Sequence, residues 1–92
     1  MNSLDISFEE AVKFVNNGND SSKFSDDLKL KLYGLYKRIT VGRCVEMGGT
    51  RPFFLNKVGT SKYDSWLSFD NLEVDKCKQL YVSIIKDYSN SD

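Results

Sequence analysis

Tyr33, Tyr36 and Lys37 stand at i, i+3 and i+4, so a helix through them gathers two phenol rings and an ammonium group into one adjoining patch. That trio suits an aromatic phosphate ester. The rings offer stacking surface, their hydroxyls donate hydrogen bonds, and the lysine supplies a point charge for phosphate. Lys62 precedes Trp66 by one helical turn, which would aim a second ammonium outward. The same spacings also describe a core edge beside a solvated face, and spacing alone leaves both readings open. Catalytic chemistry is poorly supplied: the 92 residues contain no histidine, and the chain shows neither a paired-carboxylate signature nor a nucleotide-type glycine loop. The two cysteines, Cys44 and Cys77, read as structural thiols and not as a disulfide framework or metal pair. The expectation is a binding module with no catalytic residue, no metal and no cofactor.

Charge is balanced overall, with 13 basic and 13 acidic residues, but it is unevenly spread. Lys29, Lys31, Lys37, Arg38, Arg43, Arg51, Lys57 and Lys62 crowd the middle, opposed there only by Glu46, while the compensating acid lies in the two flanks. A basic middle can attract an anion, and it can equally pack beside acidic end helices. The acidic flanks and zero net charge argue against nucleic acid as a partner. No stretch approaches a membrane span and the first residues lack a secretion-signal pattern, so a cytoplasmic address is expected, with membrane contact only transient.

These side chains need helices to position them, and the apolar spacing provides four. Leu4, Phe8, Ala11, Val12 and Val15 recur with helical period, and Ser7 with Glu10 matches a capping box, so the first helix is expected over about 7–17. An Asn-Asn-Gly-Asn-Asp-Ser-Ser loop follows. Ser25 then caps a second helix over about 26–41, with Leu28, Leu32, Leu35, Tyr36 and Ile39 on one stripe and Gly42 as its stop. A long connection carries Gly48, Gly49 and Pro52, and its Phe53-Phe54-Leu55 run is expected to fold back onto the core. A third helix is expected over about 60–69, starting at Gly59-Thr60 with Tyr63, Trp66, Leu67 and Phe69 inward. The fourth, over about 73–88, carries Cys77, Leu80, Tyr81, Ile84 and Tyr88 ahead of a polar tail. Nothing alternates with a period of two. The pattern gives one domain over residues 1–92: an all-α bundle of four amphipathic helices, expected to be monomeric.

The wording of two segments goes further. Leu32-Tyr33-Gly34-Leu35-Tyr36-Lys37-Arg38-Ile39-Thr40-Val41-Gly42, then Arg51-Pro52, then Lys62-Tyr63-Asp64-Ser65-Trp66, closely resembles the acyl-CoA-binding protein family, whose hallmark runs Y-x-x-Y-K-Q-A-T-x-G, R-P and K-W-x-A-W. The resemblance extends from Phe8 through Tyr81 in matching order. It implies an up-down-down-up four-helix bundle that binds long-chain fatty acyl-CoA in a surface groove and ferries it unchanged. On that resemblance Tyr33, Tyr36, Lys37 and Lys62 would meet the adenine and its 3′-phosphate, and Tyr81 would border the coenzyme A moiety. Phe8, Val12, Leu30 and Leu32 match positions near the groove, and Gly34 and Leu35 lie within the matching motif. Two positions depart from the pattern by losing a lysine, Asn16 and Val58, for which Lys57, Arg43 or Arg51 would have to substitute. The Arg43 to Thr50 loop is about three residues longer than the family spacing. A second reading keeps the same bundle as a helical adaptor that offers its apolar groove to a partner helix.

Overall fold

The computed structural model of the chain describes residues 2–16 and 24–90, so most of the Asn-rich loop after the first helix lies outside the described residues. Among these residues it is all-helical, with α1 Ser3–Asn16, α2 Asp26–Thr40, α3 Cys44–Met47, α4 Lys57–Leu67 and α5 Val74–Asn90. The four long helices have the expected up-down-down-up order, and α3 is a single turn within the long connection. α2 is the central element: it packs against both α4 and α5, and α1 packs against α5.

Local chemistry explains where the helices begin and end. α1 starts four residues earlier than the capping box suggests, because the Asn2 side-chain oxygen accepts the Asp5 amide at 2.8 Å. Ser7 therefore sits inside the helix, and the Ser7–Glu10 pattern is not its cap. At α2 the expected cap is present, the Ser25 hydroxyl accepting the Leu28 amide at 3.1 Å. Its stop is Gly42, whose φ of 124° no L side chain adopts readily, and both the Val41 and Gly42 amides donate to the Lys37 carbonyl. α4 begins at Lys57, three residues before Thr60, since Asn56 is the cap and accepts the Gly59 amide at 2.9 Å. It ends at Leu67, which is 38% exposed rather than inward. α5 runs to Asn90, into the stretch expected to be a polar tail.

One apolar cluster joins α1, α2 and α5, with Phe8, Ala11, Leu32, Leu35, Cys77 and Tyr81 buried in it. Val82 and Ile85 complete the α5 face, which is wider than the stripe read from spacing. Both cysteines are free and fully buried. α2 and α4 pack tightly at Gly34, where an added Cβ would lie 2.4 Å from Ser65 Oγ. The Ser65 hydroxyl donates to the Leu30 carbonyl at 2.5 Å, and Trp66 Nε1 donates to the Gly42 carbonyl at 2.8 Å. These contacts fix the α4 face carrying Lys62 against the α2 face carrying Tyr33. α3 is held separately: both carboxylate oxygens of buried Asp70 accept amides at its start, from Cys44 at 2.6 Å and Val45 at 2.9 Å. Contrary to expectation, Phe53, Phe54 and Leu55 do not fold onto the core and are 66%, 68% and 70% exposed.

Candidate ligand-binding site

Two concavities meet on one side of α2. The first, about 430 Å³, lies between α1, α2 and α5, with Val12, Val15, Phe24 and Leu32 as apolar wall and Tyr33, Tyr36 and Tyr81 supplying phenols. Asn16 and Lys29 also line it. The second, about 480 Å³, lies between the first half of α2 and the first half of α4, and Lys29, Lys57 and Lys62 bring three ammonium groups to it against one carboxylate, Asp26. Leu30, Val58 and Ser61 line the same space. Lys29 and Tyr33, one turn apart on α2, border both cavities. The arrangement is an apolar trough with phenolic edges leading into a cationic one.

The phenols differ in setting. Tyr36 is 40% exposed, whereas Tyr81 is only 3% exposed. Phe8 stands edge-on to Tyr81 at 5.2 Å and tilted to Tyr36 at 6.5 Å, bracing both rings from behind. Burial, with nearby Tyr36 adding to it, pushes the Tyr81 hydroxyl from 10.0 up to about 12, so it is a neutral donor at physiological pH. The Lys62 ammonium lies over the Tyr33 ring, 5.4 Å from its centre. That placement gives a cation–π attraction and leaves the ammonium protons free to meet an anion.

The residues singled out by spacing and resemblance therefore do not form one patch. Tyr33, Tyr36, Tyr81, Val12, Asn16 and Leu32 line the first cavity, and Tyr33, Lys62, Leu30 and Val58 line the second. Lys37 lines neither of the two. Its ammonium lies 4.9 Å from the centre of the Trp66 ring, because Trp66 is pinned beside the end of α2 by its bond to Gly42. Phe8 and Leu35 are buried in the core and Gly34 in the α2–α4 contact, where they support the site without lining either cavity. Of the cations expected to stand in for the missing lysines, Arg51 is held by two hydrogen bonds to the Asp64 carboxylate at 2.8 and 3.0 Å, which keeps the Asp64 carboxyl below its usual range. Arg43 lies 3.5 Å from Glu46. Lys57 alone of the three lines the cationic cavity.

Five lining residues, Lys29, Val15, Phe24, Ser61 and the carboxylate-bearing Asp26, are not marked by the sequence reading. Lys29 had a legible signal, standing one turn before Tyr33 on the same helix face. Val15 belongs to the apolar stripe of α1, whose edge forms cavity wall. Phe24, only 5% exposed, precedes the α2 cap with no periodic pattern to mark it, and Ser61 carries no distinguishing signal. Among the described residues no cluster of His, Cys, Asp or Glu could hold a metal ion, and no helix is long and apolar enough to cross a membrane.

The fold is that of a class of small helical bundles, and the family follows from proteins similar in sequence and structure. The family model described as acyl CoA binding protein matches residues 5–85. The chain belongs to the acyl-CoA-binding protein family. It is 36% identical over 81 residues to acyl-CoA-binding domain-containing protein 5A of Danio rerio, a match covering 86% of this chain and 16% of that protein. It is also 32% identical over 66 residues to enoyl-CoA delta isomerase 2 of Rattus norvegicus, covering 72% of this chain and 16% of that protein. The chain thus spans about a sixth of the length of such relatives. The crystal structure of acyl-CoA-binding protein 2 of Oryza sativa superposes with a TM-score of 0.78 at 26% identity, covering 98% of this chain and all of that one.

Proposed function

We propose that this module binds long-chain fatty acyl-CoA thioesters without transforming them, shielding and carrying them in the cytoplasm as a monomer. The observation that carries the reading is the junction at Tyr33 and Lys29 of an apolar cavity with one lined by three lysines, since such a ligand joins an apolar chain to a polyanionic head. In this account Val12, Val15, Leu32 and Phe24 shelter methylenes. Tyr33 and Tyr36 supply stacking faces for adenine, Tyr81 donates a hydrogen bond, and Lys62 meets the 3′-phosphate with Lys29 and Lys57 beside it. Lys37, over Trp66, acts from the rim. Lys29 and Lys57 restore the charge that Asn16 and Val58 do not carry. A non-catalytic role agrees with a chain that has no histidine and whose most perturbed phenol is a neutral donor rather than a poised base.

The test is calorimetric titration with octanoyl-, dodecanoyl- and palmitoyl-CoA. Each buried methylene contributes about 0.8 kcal/mol, so affinity should rise roughly tenfold per two carbons until the trough is full. An affinity independent of chain length would remove the apolar cavity from the account.

A further inference from the structure

Phe53, Phe54 and Leu55 are consecutive and each about two-thirds exposed. They occupy the turn closed by the Asn56 amide on the Phe53 carbonyl at 2.8 Å. Because Asn56 is also the α4 cap, the turn cannot swing inward without uncapping the helix. The two rings lean on each other, with centres 4.6 Å apart and planes at 48°. Val58, one turn into the chain beyond, is 67% exposed. An apolar tip of this kind, exposed among the described residues, marks an interaction surface.

The charge beside it indicates the partner. Lys57 and Val58, directly after the tip, share a cavity wall with Lys29 and Lys62, where three ammonium groups face one carboxylate. The chain therefore passes from the apolar tip at Leu55 to the cationic rim at Lys57 within two residues. Protruding aromatic and aliphatic side chains bordered by lysines have the chemistry of an interfacial anchor: rings enter the headgroup layer while the ammonium groups meet lipid phosphates and carboxylates. A partner helix would present side chains to a groove, whereas these side chains stand out from the surface.

We propose that the Phe53-Phe54-Leu55 turn is a wedge that docks the protein on anionic lipid bilayers and sets the lysine-lined cavity against the headgroups. This goes beyond the ligand reading, because the ligand-free protein should dock. Each lysine at the surface contributes about fivefold in affinity, the equivalent of roughly 1 kcal/mol. The contact is reversible, since salt screens charges beyond about 8 Å at physiological ionic strength.

Co-sedimentation of the ligand-free protein with vesicles tests this, using pure phosphatidylcholine and a three-to-one mixture of phosphatidylcholine with phosphatidylserine. The protein should bind the mixed vesicles at low salt and bind the neutral ones at least tenfold more weakly. The Phe53→Ser/Phe54→Ser double variant should lose at least tenfold on mixed vesicles, while its palmitoyl-CoA titration stays that of the parent. No sedimentation at low salt, equal binding to both vesicles, or unchanged binding by the double variant overturns the proposal. So does self-association without vesicle binding that the double variant abolishes, which would assign the turn to a second copy of the chain. Loss of palmitoyl-CoA binding in that variant would assign it to the ligand site instead, and failure of the parent to bind palmitoyl-CoA would leave the vesicle result standing.

Discussion

Lys37 lies within the first matching segment and Lys62 opens the last, and they sit in different places in the molecule. Lys62 lies over Tyr33 beside two other lysines, whereas Lys37 lies over Trp66 at the far end of α2. A charge-assisted contact to phosphate is worth about 1.5–3 kcal/mol, so Lys62→Ala should weaken palmitoyl-CoA binding roughly ten- to a hundredfold. Lys37→Ala should cost less, and calorimetry on the two variants compares them directly. Tyr81 makes a prediction of its own. Its folded-state hydroxyl is raised from 10.0 to about 12, so between those values the unfolded chain has released a proton that the folded chain keeps. Stability from this group is intact below pH 10 and falls as pH climbs towards 12. Urea unfolding at pH 8 and pH 11 should show wild type losing about 1.4 kcal/mol more than Tyr81→Phe, the value of one pKa unit. Equal losses would mean that the hydroxyl is not shielded as described.

At the scale of helices, the decisive contact is α2 against α4. Alanine favours a helix over glycine by about 1 kcal/mol, yet Gly34→Ala would set a Cβ within 2.6 Å of the Ser65 backbone oxygen. The clash prevails, because backbone cannot rotate away as a side chain can. The variant should be destabilised by roughly 1–3 kcal/mol in thermal or urea unfolding, and by parting Tyr33 from Lys62 it should also bind palmitoyl-CoA more weakly. Asp70→Ala should cost about 2–3 kcal/mol, since it leaves two amides of α3 without acceptors. Periodicity located all four long helices and most of their inward faces, because each carries one continuous apolar stripe. It did not locate the caps at Asn2 and Asn56, since asparagine is also ordinary loop composition. Nor could it find the single turn of α3, held by an aspartate more than twenty residues away. The Phe53-Phe54-Leu55 run was misplaced for a related reason: apolar composition argues for burial, but the cap that follows it fixes the turn outside. In the site, motif order brought out Tyr33, Tyr36, Lys62 and Tyr81, whereas the roles of Lys29 and Phe24 depend on how helices meet.

Taken whole, the molecule sets an apolar trough and a cationic cavity side by side on one helix, with an apolar tip next to the cations. Binding that spans both cavities should stabilise the fold: at a hundredfold excess over the dissociation constant, palmitoyl-CoA should add about 2.7 kcal/mol to unfolding. A thermal shift that grows with acyl length and survives moderate salt would reflect the apolar cavity, whereas the head-group contribution should weaken as salt screens the lysines. A single ligand gripped at both ends is probed by calorimetric titration of the protein with palmitoyl-CoA and with its 3′-dephospho counterpart. The first should bind with micromolar or tighter affinity and the second at least tenfold more weakly. Absence of binding heat with palmitoyl-CoA, or equal affinity for the two esters, would contradict a grip at both ends.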